Sequence, residues 1–159
     1  MKKGTRMFLT GIITGLIISV AFVLLMAPKM MFTVSESQFD FEKTKEVIEQ
    51  ASKENNWSMP HQYDLQATMS KNGFTVKPVT VFSVCKPDIA VRILDDDANR
   101  HISSMMPCRI AIYEKADGKT YIARMNANFM SKLLGSEAKA VMSEAGAGSE
   151  KILEQVIKK

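Results

Sequence analysis

The stretch KPVTVFSVCKPDIAVRIL, residues 77–94, contains a strand pattern followed directly by a helix pattern. Residues 77–84 are rich in β-branched and aromatic side chains, which favours a buried strand ending at Cys85. Pro87 suits the first turn of a helix because its missing N–H has no intrahelical partner there. That helix is predicted to bury one stripe of four apolar residues, Ile89, Ala90, Ile93 and Leu94. A strand joined to a helix by so short a connection indicates a mixed α/β fold.

The next part of the chain carries a hairpin pattern. Residues 109–113 and 120–125 both alternate between apolar and polar side chains, and Asp117-Gly118 lies between them. An Asp-Gly pair between two alternating runs is a strong short-range hairpin signal. We therefore predict two antiparallel strands joined by a tight turn.

Two further helices are predicted after the hairpin. Residues 128–134 form a short helix that Gly135 ends, and residues 137–158 form the last helix. Gly146 and Gly148 interrupt the last helix, and each costs about 1 kcal/mol relative to Ala in a helix interior. We therefore expect the last helix to be kinked or broken at these glycines.

The chain before residue 77 alternates between strands and helices in the same way. Residues 30–37 and 57–63 are predicted strands, and Pro60 indicates an edge position or a strand start for the second. Asp40 can cap an amphipathic helix that ends near residue 55. Residues 64–72 have an Asp at one end and Gly73 beyond the other, which favours a short helix, although a strand is the alternative.

These elements predict one α/β (α+β) domain with a small, mostly antiparallel sheet of about five strands packed by helices. The 159 residues suffice for one domain of ordinary size plus an appendage, but not for two full domains. We place the domain at residues 28–159.

The appendage is the segment 7–27, which contains no charged residue. Twenty-one helical residues span about 31 Å, which matches a bilayer hydrocarbon core of roughly 30 Å. Twelve of them are Leu, Ile, Val or Phe, which favour insertion by roughly 4 to 7 kcal/mol. We therefore predict a transmembrane anchor. A cleaved secretory signal, cut after Ser19-Val20-Ala21, is the alternative, but the apolar run is longer than a usual signal core.

The charges that flank the span predict its orientation. Three basic residues lie in segment 1–6, whereas Lys29 alone follows the span closely. The positive-inside rule then predicts a bacterial inner-membrane protein with segment 1–6 in the cytoplasm and residues 28–159 in the periplasm or outside. The whole chain has a net charge of +4. Without those three basic residues, 18 basic residues remain against 17 acidic residues, which leaves a net charge of +1. A near-neutral domain does not favour nucleic acid as a partner.

The predicted span carries a stripe of small residues, Gly11, Gly15 and Ser19. Their spacing of four places them on one helix face, where small side chains let two helices approach closely. This favours a homodimer seam within the lipid bilayer. Glycine is also simply frequent in membrane helices, so a stripe without any seam is the alternative.

Motifs of the common enzyme classes are absent from the sequence. It has no glycine-rich phosphate loop, no His-Glu-x-x-His, no Gly-x-Ser-x-Gly and no Cys-x-x-Cys. No catalytic residue is therefore predicted, and a function other than catalysis is favoured.

Two cysteines occupy similar positions in the predicted fold. Cys85 ends one strand, and Cys108 begins the next. If these strands are antiparallel neighbours, both sulfurs lie at the same end of the sheet. A disulfide between them would close a loop of about 24 residues and stabilise the fold by roughly 3 kcal/mol. The alternatives are a reactive Cys85, whose thiolate Lys86 and a helix N-terminus would favour, or two inert thiols.

A second set of residues suggests soft-metal chemistry. His101, Met105, Met106 and Cys108 offer imidazole, thioether and thiol groups, which suit copper(I). Methionine at apolar positions is more often core filler. No cofactor is therefore predicted, and copper and haem are ligands to be tested.

Several ordered motifs resemble the successive signatures of the domain-of-unknown-function 302 (DUF302) family. The resemblance extends over roughly residues 30–157 and is carried by DLQAT at 64–68, VCKPDIA at 84–90, MPCR at 106–109 and YE at 113–114. It implies a TATA-binding-protein-like β-α-β(4)-α arrangement with the two cysteines on adjoining strands, and it implies no activity. Lys86 and Arg109 stand where the family more often has Asn, which favours an anionic ligand or a lowered thiol pKa.

We therefore expect an anchored, exported binding or interaction module whose ligand surface includes Cys85, Cys108, Lys86 and Arg109. A thiol-based redox protein or sensor, with Cys85 attacking and Cys108 resolving, is the alternative. A purely structural dimer that organises other envelope proteins is the third hypothesis.

Overall fold

The computed structural model describes residues 3–158, and it divides the chain into one compact unit ending at Phe32 and a second beginning at Thr33. The first unit is helix α1, Lys3–Met31, which continues beyond the predicted end at Ala27. Its segment Met7–Met31 has a mean hydropathy of 2.6, and none of its residues is buried in the structure. Among the described residues, α1 is the one helix long and apolar enough to span a membrane. Part of the predicted cytoplasmic segment 1–6 lies outside the described residues.

The second unit is built on one open sheet with the strand order β1-β5-β4-β3-β2. The strands are β1 (Phe32–Glu36), β2 (Ser58–Asp64), β3 (Val79–Cys85), β4 (Cys108–Glu114) and β5 (Thr120–Met125). β2, β3, β4 and β5 pair with their neighbours in antiparallel orientation. This confirms the predicted fold class, the hairpin of β4 and β5, and the edge position of β2.

Two long helices, α2 (Phe41–Glu54) and α6 (Ser136–Leu153), pack on one face of the sheet. The Asp40 carboxylate accepts a hydrogen bond from the Lys43 backbone N–H at 2.8 Å, which satisfies one free donor at the start of α2. The core between these helices and the sheet contains mainly aliphatic side chains, among them Ile48, Phe82, Ile112, Ile122 and Leu153.

The shorter helices are α3 (Leu65–Lys71), α4 (Pro87–Leu94) and α5 (Ala127–Met130), with 3₁₀ helices at Arg100–Met105 and Ser131–Leu133. The Asp64 carboxylate accepts a hydrogen bond from the Ala67 N–H at 2.8 Å, so residues after it form a helix rather than the alternative strand. Gly73 follows α3 with a φ of 81°, a left-handed conformation that favours glycine.

A second apolar cluster lies between α4, the 3₁₀ helix Arg100–Met105 and α6. Ile89, Ala90 and Ile93 of α4 are buried as predicted, but Leu94 is 45% exposed. The prediction was wrong for Leu94 because it is the last residue of α4 and lies outside the cluster that covers the other three.

Helix α6 runs without interruption through Gly146 and Gly148 and ends at Leu153 rather than near Lys158. A Cβ atom at Gly146 would lie 2.3 Å from the Ala127 Cβ, and one at Gly148 would lie 2.7 Å from Cζ2 of Trp57. The expected kink or break was wrong because these glycines permit close packing, which offsets their low helix propensity.

An ion pair between the buried Arg124 and the exposed Glu150 joins β5 to α6. Arg124, 7% exposed, donates from Nη2 to Glu150 Oε2 at 2.6 Å and from Nε to Glu150 Oε1 at 2.7 Å. Its Nη1 donates to the Ser35 Oγ of β1 at 2.9 Å. The guanidinium charge is thus paired and hydrogen-bonded, as burial of a charge requires.

Candidate functional site

An apolar cavity of about 50 Å³ lies where β3 ends and β4 begins, between the end of the sheet, α4 and α6. Aliphatic side chains such as Ile93 and Val141 form much of its wall, and the buried Trp57 contributes its ring. Lys86 is the one charged residue among those that line it. A space of this size accepts a ligand of only a few atoms.

Both cysteines line this cavity. Cys85 is the last residue of β3, and Cys108 is the first residue of β4, directly opposite Val84. The sequence placed both sulfurs at one end of the sheet on the condition that their strands are antiparallel neighbours. That condition is met, because β3 and β4 pair in antiparallel orientation and α4 lies in their connection. Both residues are half-buried free thiols.

Burial raises the pKa of both thiols above the ordinary value of cysteine. For Cys108, the nearby Cys85 raises the pKa further, because two thiolates would repel each other. From the sequence, Lys86 and Arg109 favoured an anionic ligand or a lowered thiol pKa. The pKa of both thiols is instead raised. Removal of water from the sulfur atoms is the main cause for both thiols.

Alkylation at neutral pH is expected to be slower for both thiols than for cysteine in the unfolded chain, because only the thiolate attacks and a raised pKa keeps it scarce. The variants Cys85→Ser and Cys108→Ser isolate one thiol each, and the rate of iodoacetamide modification is measured against pH. The pH at which the modification rate reaches half its maximum should be higher for each folded variant than for the same variant in denaturant. A midpoint below that of the denatured control would contradict the prediction.

The same shift fixes the sign of a stability effect. A thiol pKa that is raised by folding favours the protonated form in the folded state. Its contribution is fully present below the pKa of the unfolded chain and is lost as the pH rises through the folded pKa. The contribution of the two cysteines to the free energy of unfolding is therefore independent of pH near neutral pH, and it falls as the solution becomes alkaline.

Four methionines line the cavity: Met105, Met106, Met125 and Met142. His101, predicted to join Met105 and Met106 as a soft-metal ligand, is exposed and does not line it. Within residues 3–158, no group of three or more His, Cys, Asp or Glu side chains is placed to hold a metal. A haem does not fit, because an organic cofactor of that size needs several hundred Å³.

Arg109 lies beside the cysteines in sequence but belongs to a different group of residues. The strand register aligns His61 of β2 with Ser83 of β3 and Ser83 with Arg109 of β4. Ser83 is 1% exposed, and its Oγ has no hydrogen-bond partner in the described structure. Neighbouring residues of a strand project to opposite faces of a sheet, so Arg109 and the inward-facing Ile110 that follows it point in opposite directions.

The family model for "Domain of unknown function DUF302" matches residues 32–157. The chain belongs to the DUF302 family. The matched region contains every residue of the cavity, whereas α1 lies outside it. The comparison with curated proteins finds no match for this chain.

A solved structure has the same fold as this DUF302 domain. It is the crystal structure of an uncharacterized conserved protein DUF302 from Bacillus stearothermophilus, with a TM-score of 0.71 and 18% sequence identity. The match covers 79% of this chain and 98% of the other. At this identity the comparison establishes the fold alone.

Sequence reasoning missed three features of the DUF302 domain that depend on packing or register. Trp57 was expected to begin a strand, but it is buried and lines the cavity. The register that aligns His61 with Ser83 had no signal in the sequence. Ser83 was expected only as one residue of a strand, but it is buried and its Oγ has no hydrogen-bond partner in the described structure. The alternation of residues 79–85 was the available signal for Ser83, since it places a hydroxyl on the face opposite Phe82 and Val84.

Proposed function

We propose that this DUF302 domain is a membrane-tethered binding module, and that its ligand is a small apolar or soft species held in the Cys85–Cys108 cavity. The observation that carries the proposal is the cavity itself, which gathers two thiols and four thioethers from separate elements of the chain. An apolar cavity lined by sulfur groups favours binding over reaction.

The state of the thiols supports binding more than redox catalysis. An attacking cysteine needs a substantial thiolate population, and burial raises the pKa of both Cys85 and Cys108. The alternative of a thiol-based redox protein is therefore the weaker candidate. Neutral sulfur groups suit contact with apolar or soft ligands.

The tether is part of the same proposal. We infer that α1 crosses the inner membrane with its basic N-terminus in the cytoplasm, so that the binding domain lies in the periplasm or outside. The homodimer seam at Gly11, Gly15 and Ser19 also remains a prediction. In the described structure, apart from the adjacent residues and the nearby backbone of α1 itself, no atom lies within 4 Å of a Cβ placed on Gly11 or Gly15, so contacts within the chain do not require glycine there.

The test uses Trp57, the single tryptophan of the chain, as a reporter inside the cavity. The full chain in detergent is equilibrated with xenon at increasing pressure as an apolar probe of one atom, and in a separate experiment it is titrated with Cu(I) as a soft probe. We expect a saturable change in Trp57 emission and slower alkylation of Cys108 with at least one probe.

Ala145→Leu fills the cavity from α6 and should remove the response to xenon, whereas Ala140→Leu changes the exposed side of the same helix and should leave the response unchanged. Circular dichroism verifies that both variants fold. If neither probe alters Trp57 emission or thiol alkylation in the unmodified protein, the proposed function is wrong.

A further inference from the structure

We propose that the cavity at Cys85 and Cys108 is a binding site for one Cu(I) ion. This inference rests on the proposed function, because it names the ligand class of the same cavity. The ion would be held by the two cysteine sulfurs, with Met105 and Met106 as the adjacent thioether donors.

The chemistry of the lining selects the ion. Thiolate and thioether sulfur are soft ligands, which prefer Cu(I) over hard cations such as Mg²⁺ and Ca²⁺. The residues that line the cavity include two cysteines and four methionines but no Asp, Glu or His. Zinc sites use Cys, His and carboxylate groups, not thioethers, so the surplus of methionine favours copper.

Both cysteines line the same cavity, and this brings them within reach of one ion. The strand pleat by itself would turn the Cys85 side chain away from the face of Cys108, but Cys85 is the last residue of β3, where the sheet ends at the cavity. Cys108 is the direct partner of Val84, and Cys85 is the next residue along β3. From ordinary strand spacings, the Cys85 and Cys108 Cα atoms lie about 6 Å apart. Met105 ends the 3₁₀ helix, and Met106 and Pro107 connect it to Cys108, so these donors share one short segment.

The charges also balance. Binding replaces the S–H proton of each cysteine by a bond to copper, and the two protons pass to solvent without any electron transfer. Two thiolates and one Cu(I) carry a net charge of −1. Lys86 is among the residues that line the same cavity, and its positive charge can compensate the buried anion.

The experiment measures Cu(I) affinity on the full chain in detergent under anaerobic conditions, by competition with the chromophoric chelator bicinchoninate. We expect one equivalent to bind. Cys85→Ser and Cys108→Ser should each weaken binding by more than about 100-fold, since loss of an outer-shell partner alone costs 10- to 100-fold. Met106→Leu should weaken it less. Met69→Leu, on α3 and away from the cavity, is the matched control and should have no effect.

X-ray absorption of the unmodified protein with one equivalent of Cu(I) tests the same site without any substitution. A first shell made of sulfur is expected, and nitrogen or oxygen scatterers in place of sulfur would overturn the proposal. Unchanged Cu(I) affinity in the folded variants Cys85→Ser and Cys108→Ser would also overturn the proposal. If xenon enters the cavity but Cu(I) does not bind, only this inference fails, whereas failure of both probes removes the proposed function as well.

Discussion

Deletion of residues 1–32 is expected to convert the protein completely from a membrane-bound to a soluble form, with the DUF302 domain still folded. The deleted part ends at the division between the two compact units, so the sheet loses only Phe32 from β1. The 25 residues of Met7–Met31 reach about 37 Å as a helix, longer than the roughly 30 Å hydrocarbon core.

The measurement is the distribution of the protein between membrane and supernatant after alkaline carbonate extraction, with intact mass to detect any cleavage of the full chain. A graded control is Leu16→Arg, since a charge at the helix centre costs about 2.5 to 3.5 kcal/mol against an insertion preference of roughly 4 to 7 kcal/mol. It should reduce insertion without abolishing it. Recovery of the uncleaved full chain in the supernatant would contradict the anchor.

Orientation is tested in the same preparation by adding protease outside spheroplasts. The distribution of basic residues predicts that the DUF302 domain is digested while the membrane is intact. Protection of the domain until the membrane is broken would reverse the predicted topology and place the two thiols in a reducing compartment.

Gly146→Val is expected to destabilise the DUF302 domain by about 3 kcal/mol or more, at the upper end of overpacking costs. In an exposed helix, replacement of glycine by a larger residue usually stabilises, because glycine is the poorest helix former after proline. Here even the Cβ would lie 2.3 Å from the Ala127 Cβ, an atom fixed to the backbone of α5. The two γ-methyl groups of valine add to that overlap.

Thermal unfolding followed by circular dichroism measures the effect, and a lowering of Tm by about 10 °C corresponds to the expected loss. The matched control is Ala140→Val, which places the same side chain on the exposed side of α6 and should cost less than about 1 kcal/mol. Equal Tm values for Gly146→Val and Ala140→Val would contradict the close packing of α6 against α5.

Several elements could be predicted from sequence because their signals are local. Asp40 and Asp64 begin helices by accepting backbone hydrogen bonds from residues three positions later. Asp117-Gly118 forms the hairpin turn, with Gly118 at a φ of 75°. In each case the interacting groups are a few residues apart, so the pattern alone contains the contact.

The candidate site was predicted only in part, because some of its residues come from segments that are distant in the sequence. Cys85 and Cys108 were expected at one end of the sheet because each borders a recognisable strand. His101 was grouped with Met105 and Met106 by nearness in sequence, but it is exposed, whereas Met125 and Met142 reach the cavity from β5 and α6. Proximity along the chain does not determine which side chains share a cavity.

The sequence by itself determined the long apolar helix, the strands, the capped helices and the hairpin, since each depends on composition, on periodicity or on hydrogen bonds between near neighbours. Only the tertiary structure decided that Gly146 packs against Ala127, that Arg124 pairs with Glu150, and that burial raises the pKa of the thiols. These properties depend on which distant segments meet and how much water they exclude, and those are consequences of packing the whole domain.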